Sequence, residues 1–216
     1  MDSKGNKFSN SDKNRQQIIQ NELHWHETRA THRYKIDNIL YAPPSFESII
    51  QSAVNFLNPR SGDTLLEVGC GEGKEIVRLA QIGARVIGLD LSFMQLLRAK
   101  KMVDQMYLND MVYFVQANAE RLPFSTNSFQ LIYGKAIIHH LDIDDSLNEI
   151  DRITKEGGRI ALAEPLKLHP VFYFLRKVSP LLRTKYEHPL TYSQLVNIGS
   201  YFHDFKLATI HFKKKD

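Results

Sequence analysis

The sequence predicts an α/β protein with a parallel-dominated sheet and helices on both faces. Three observations carry that expectation. Strand-like and helix-like patterns alternate five times between Thr64 and Ala163, the order that builds parallel sheets. A glycine-rich turn at Gly69, Gly71 and Gly73 joins the first strand to the helix behind it. Asp90, Asn118, the Gly134-Lys135 pair and Glu164 each follow a strand. Ligands of such sheets bind there, outside the carboxyl ends of the strands.

Helical spacing runs from about Arg15 to Arg29, with Ile18, Ile19, Leu23 and Trp25 as its apolar members, and continues weakly to Leu40. Pro43-Pro44 breaks it. Ser45 to Leu57 reads as a helix with Ser45 as N-cap and Phe46, Ile49, Ile50, Ala53, Val54 and Leu57 on one face. Thr64 to Val68 is the first strand, apolar or β-branched apart from Glu67, and Lys74 to Gln81 is the helix after the turn. Arg85 to Leu89 is the second strand. Ser92 caps a helix to Tyr107 with Met94, Leu97 and Met102 facing inward. Strands follow at Val112 to Gln116 and Gln130 to Tyr133, then a helix at Asp144 to Thr154 with Leu147, Ile150 and Ile153 inward. Gly157-Gly158 turns the chain into a fifth strand, Arg159 to Ala163. Thr191 to Tyr201 is expected as a further helix and Phe205 to Phe212 as a sixth strand.

The chain has 216 residues, 43% of them hydrophobic and 24% charged, an ordinary globular composition able to bury a full core. Its net charge of +4 is spread along the chain apart from Lys213 to Lys215, so no nucleic-acid partner is expected. The single cysteine, Cys70, excludes an internal disulfide and points to a reducing compartment, with a cytoplasmic location expected. Residues 1–14 are polar, carry no apolar segment of the signal-peptide kind, and read as a disordered tail. Residues 15–57 read as a helical lid with the first core helix, and 58–216 as the core with a lid insertion at about 166–190.

The glycine spacing narrows the ligand. A dinucleotide site places glycines at the first, third and sixth positions of its turn, and counting from Gly69 the sixth position is Lys74. The segment instead reads Glu67-x-Gly69-x-Gly71-x-Gly73, and it resembles the first motif of the class I S-adenosylmethionine-dependent methyltransferases. Ala117-Asn118-Ala119-Glu120, followed by Leu122-Pro123-Phe124, is similar to that family's Gly-Asp-Ala-Glu segment, with Asn118 in place of Asp. Phe129 to Ile132 matches its Phe-Asp-x-Val strand with Gln130 in place of Asp. Ile137-Ile138-His139-His140-Leu141 resembles the Leu-His-His-Leu run of small-molecule enzymes of the ubiquinone/menaquinone methyltransferase-like group. The pattern then runs from Glu149 through Gly157-Gly158 to Glu164-Pro165. In all, the resemblance covers about Leu57 to Pro165.

It implies a Rossmann-like class I methyltransferase fold of strand order 3-2-1-4-5-7-6, S-adenosyl-L-methionine as cofactor and S-adenosyl-L-homocysteine as product. No sequence remains after Phe212 for a seventh strand; the sheet closes differently or the natural chain continues. Within the implied site, Glu67 receives the methionine ammonium, directly or through water. Gly69, Cys70, Gly71 and Gly73 admit the methionyl chain to the backbone. Asp90 accepts from the two ribose hydroxyls, with Leu91 beside the adenine. Asn118, Ala119 and Glu120 meet the adenine edge, and Lys135 opens the loop at the sulfonium end.

Methyl transfer from a sulfonium draws on alignment in a dry site and needs a general base only for some acceptors. His139 is the candidate base, against the alternative that both adjacent histidines are structural. His24 and His26 are two apart, on different helix faces, and no cysteine or acidic cluster accompanies them in sequence, so no metal is expected. Trp25, His26, Tyr34 and Tyr41 on the lid, with the aromatic and basic run 166–190, are expected to shape the acceptor pocket. That run reads either as a lid packed on the core or as a peripheral membrane contact. The function expected is methyl transfer to a small molecule, O-methylation ahead of C or N. The alternatives are a non-catalytic S-adenosylmethionine-binding regulatory module and a nicotinamide oxidoreductase, which Lys74 and Glu67 argue against. Oligomeric state is not set by the sequence.

Overall fold

The computed structural model describes residues 10–31, 44–164 and 190–202. Five strands, β1 (Thr64–Val68), β2 (Arg85–Asp90), β3 (Val112–Gln116), β4 (Phe129–Lys135) and β5 (Thr154–Ala163), form one sheet in the order β3-β2-β1-β4-β5. Every neighbouring pair is parallel. The chain starts in the middle at β1, builds outward to β3, then crosses back to β4. The order therefore reverses between β1 and β4, and a crevice opens above their carboxyl ends.

Among the described residues, six α-helices accompany the sheet: α1 (Asn10–Thr31), α2 (Pro44–Leu57), α3 (Lys74–Gln81), α4 (Phe93–Gln105), α5 (Ile143–Ile153) and α6 (Tyr192–Gly199). Alternation along β1 divides them into layers. Leu65 points to one face, where Ile50 and Leu57 of α2, Ile76 and Leu79 of α3 and Val103 of α4 close over it. Leu66 points to the other, where Leu147, Ile150 and Ile153 of α5 meet Leu195 and Ile198 of α6. Both leucines are fully buried, and truncating either to alanine costs roughly 2–5 kcal/mol. A core on both faces explains why the central strands read as continuous apolar runs. Among the described residues no helix is long and apolar enough to cross a membrane.

Several boundaries differ from expectation. The first helix begins at Asn10, so residues 10–14, expected in the tail, are helical. Pro44 opens α2 and places Ser45 inside the helix rather than at its cap; a proline is suited to a first turn whose N–H groups have no helical partner. On α4 the buried face is Leu96, Ala99 and Val103, while Leu97 is 47% exposed. The cap at Ser92 holds as expected, its side chain accepting from Gln95 N–H at 3.3 Å. Strand β5 begins at Thr154 rather than Arg159, since Gly157-Gly158 forms an irregularity within the strand rather than a turn before it. Gly157 has φ +68°, which suits a bulge. Tyr34, Tyr41, the insertion at about 166–190 except Leu190, the sixth strand and the lysine tail lie outside the described residues.

Candidate functional site

The turn after β1 is shaped by backbone that only glycine adopts cheaply. Gly69, Gly71 and Gly73 have φ +71°, +51° and +84°. The N–H groups of Gly69 and Cys70 both donate to Leu89 O, at 2.8 and 3.0 Å, and pin the turn to the end of β2. A Cβ at Gly69 would lie 2.7 Å from the Ile137 side chain, and one at Gly73 2.8 Å from Ala99 Cβ. At Gly71 it would meet nothing within 4 Å. The first and third glycines thus serve packing, and the middle one faces open space.

Asp90 ends β2 beside that space. Its Oδ2 accepts from Gly71 N–H at 2.8 Å and its Oδ1 from Ser92 N–H at 2.9 Å. Burial pushes the Asp90 carboxyl above its usual range, and the N–H groups of Ser92 and Gly71 pull against that shift. Each oxygen retains a lone pair, so the carboxylate can still accept from a ligand.

Gly69, Gly71, Asp90, Leu91, Asn118, Ala119 and Glu120 line one cavity at the carboxyl ends of the strands. Two of the polar residues are also tied to protein. Asn118 Oδ1 accepts from Glu120 N–H at 3.0 Å, and Glu120 Oε1 accepts from Asp142 N–H at 2.8 Å. Helix α1 forms a further wall through Arg15, Ile18, Ile19, Glu22 and His26. Arg15 crosses the cavity to pair with Glu120, its Nε 3.0 Å from Oε2. This contact and Glu22 were missed from the sequence, because nothing local ties α1 to the loop after β3.

Four other expected cofactor residues do not line the cavity. Glu67 is 1% exposed beneath the turn, and Oε2 has no hydrogen-bond partner among the described residues. Burial, then the neighbouring Glu75, drives its pKa well above the usual carboxylate range, with Lys135 opposing. Lys135 is spent on Glu75, Nζ to Oε1 2.8 Å. Cys70 is buried, which raises its thiol pKa and keeps it protonated and inert. Gly73 caps α3 through its backbone conformation alone.

The two histidines part company. His139 is 4% exposed and lies off the cavity wall, its Nδ1 2.7 Å from Glu164 Oε2. Glu164 Oε1 also accepts from Ile137 N–H and Ile138 N–H, both at 2.9 Å. His140 is on the wall, its Nδ1 3.1 Å from Glu22 Oε2. Glu22 and His26 are one helical turn apart and share a face, with His26 Nε2 3.8 Å from Glu22 Oε2. The sequence expectation was that no cysteine or acidic cluster completes a site with His26; Glu22 and His140 stand beside it, and the one readable signal was the i, i+4 pair.

Residues 66–162 match the family model described as "Methyltransferase domain". Over 159 residues the chain is 33% identical to demethylmenaquinone methyltransferase of Lactiplantibacillus plantarum, covering 68% of this chain and 67% of that protein. The chain belongs to the class I S-adenosylmethionine-dependent methyltransferases. A second relative, sterol 24-C-methyltransferase of Pneumocystis carinii, is 35% identical over 112 residues, 51% of this chain and 30% of that longer protein. Among solved structures, YcgJ of Bacillus subtilis shares the fold with a TM-score of 0.61 at 22% identity, over 71% of this chain and 67% of that one.

The family's cofactor is S-adenosyl-L-methionine, and the methyltransferase cavity fits it. The space before Gly71, which a Cβ would enter, admits a chain against the backbone. Asp90 presents a buried carboxylate to the same space, a pair of acceptor oxygens suited to a vicinal diol.

Proposed function

We propose that this chain binds S-adenosyl-L-methionine in the cavity between the glycine turn, Asp90 and α1, and transfers its methyl group to a small-molecule acceptor, with a hydroxyl favoured. The observation that carries the reading is the bond from Gly71 N–H to Asp90 Oδ2 at the wall of that cavity. When bound, the cofactor supplies a methyl group on a sulfonium, with a neutral thioether as leaving group. The chain's own residues bind, align and dry the site. Asp90 would hold the ribose hydroxyls, Asn118 and Ala119 the adenine edge, and the Gly69–Gly71 backbone the amino acid end, with Glu67 buried below it. Ile18, Ile19, Ile137 and Leu141 provide the apolar wall that keeps water from competing with the acceptor.

A hydroxyl acceptor must lose its proton. The cavity wall supports that choice, because it gathers Glu22, His26 and His140, groups that a neutral apolar acceptor carbon would not need. His139, bound to Glu164 away from the cavity, is not assigned as the base. The reading is tested by incubating the chain with S-adenosyl-L-methionine and a panel of small alcohols, phenols, quinols and amines, and following S-adenosyl-L-homocysteine by mass spectrometry. Product formed only with hydroxyl compounds supports it. Cofactor binding without product from any member points instead to a regulatory module, and a thermal shift with NAD but none with S-adenosyl-L-homocysteine removes the cofactor assignment.

A further inference from the structure

We propose that Glu22, His26 and His140 form a binding site for one divalent transition-metal ion, of the zinc or cobalt kind, on the wall of the cavity. One ligand atom from each of the three lies within 4.8 Å of the others. Glu22 Oε2 stands 3.1 Å from His140 Nδ1 and 3.8 Å from His26 Nε2. Ligands that share an ion at metal–nitrogen and metal–oxygen distances of about 2.0–2.2 Å are themselves roughly 3–3.5 Å apart.

The set is chemically selective. Two imidazoles and one carboxylate suit borderline divalent ions of the first transition row and are poor ligands for magnesium or calcium, which call for oxygen. The ligands come from two separate elements, α1 and the turn after β4, so an ion would fasten the helical wall to the sheet. Two of them, Glu22 and His26, share one helical face, the arrangement that lets a helix offer two ligands at once.

Charge favours a cation as well. Beside the two imidazoles, the cavity wall carries three carboxylates, Glu22, Asp90 and Glu120, against the single guanidinium of Arg15. That is more negative charge than a singly cationic cofactor offsets. Three protein ligands leave open positions on such an ion, as in catalytic rather than structural metal sites. Such an ion would make a nearby acceptor hydroxyl more acidic, so that its proton could pass to solvent. The site thus deepens the reading of a hydroxyl acceptor and rests on it for its purpose, although not for its existence.

The test uses the full, tag-free chain, stripped with chelator and titrated with cobalt(II) chloride while the visible ligand-field bands are followed. One cobalt per chain is expected, with E22Q and H26A each weakening binding at least about tenfold and H24A leaving it unchanged. Far-UV circular dichroism confirms that the variants are folded. Anomalous scattering from wild-type crystals soaked in cobalt places the ion without recourse to variants. No cobalt binding, folded E22Q and H26A binding like wild type, or an ion sited away from these three side chains overturns the proposal. Calorimetry of S-adenosyl-L-homocysteine with the metal-free chain separates the two readings. Cofactor binding with no cobalt binding removes only the metal site, and the converse removes only the cofactor reading.

Discussion

Asp90 and Gly71 are joined across the mouth of the glycine turn, Gly71 N–H donating to Asp90 Oδ2 at 2.8 Å. The left-handed Gly71 backbone turns that N–H toward β2, and the sheet register puts the carboxylate there to receive it. One bond therefore ties the glycine turn to the end of β2 at the wall of the cavity. Asp90→Ala removes this anchor and the acceptor for a ribose diol. S-adenosyl-L-homocysteine should bind about 1–3 kcal/mol more weakly by calorimetry. Unchanged affinity would take Asp90 out of the site.

Gly73→Ala tests the packing role of the third glycine. Its φ of +84° already costs an alanine about 1–2 kcal/mol. The new Cβ would also sit 3.0 Å from the Ala99 Cα, a backbone atom that cannot rotate away. A total loss of about 2–4 kcal/mol in urea unfolding is expected. Gly62→Ala, at φ +88° with nothing within 4 Å of the added carbon, isolates the conformational part. Equal losses for the two variants would mean that α4 yields to the intruding methyl.

Much of this was readable along the chain, for reasons that also explain what was not. Strands β1 and β3 were placed residue for residue, because each is a short run bounded by turn residues. The start of β5 was not, since Lys155, Glu156 and two glycines lack any strand pattern and lie in the irregularity between the pairs Phe129–Thr154 and Leu131–Arg159. The inward face of α4 shifted by one residue, from Leu97 to Leu96, a phase that the sheet decides rather than the helix. At the site, Asp90 and the glycines could be found from their position after a strand. Arg15 to Glu120 and Glu22 to His140 span 105 and 118 residues, and no spacing rule reports contacts at that range.

Glu67 should impose a pH dependence on stability. Burial, reinforced by Glu75, raises its folded pKa well above the unfolded value near 4.5. The folded state therefore holds a proton that the unfolded chain has released. The contribution is fully present below about pH 4.5 and is lost as pH rises toward the folded pKa. Glu67→Gln, a close isostere without the charge, should flatten that part of a stability-against-pH curve and raise the melting temperature at neutral pH. A variant curve parallel to wild type above pH 4.5 would show that Glu67 titrates alike in both states.

Glu164 anchors the segment that carries His140. Its Oε1 accepts from the N–H groups of Ile137 and Ile138, and its Oε2 meets His139 Nδ1. Glu164→Ala strands two backbone donors and an imidazole in a region where Ile138 is fully buried. A loss of about 2–4 kcal/mol follows from unpaired buried polar groups. Because Ile137 and His140 both face the cavity, the damage should also reach cofactor affinity. Glu164→Gln keeps a carbonyl for the two N–H groups and an amide for the imidazole in its other tautomer, and should recover most of both losses. Thermal unfolding and calorimetry on the pair separate the cases: an alanine variant as stable as wild type with undiminished affinity would show that the turn holds itself and that Glu164 is not its anchor.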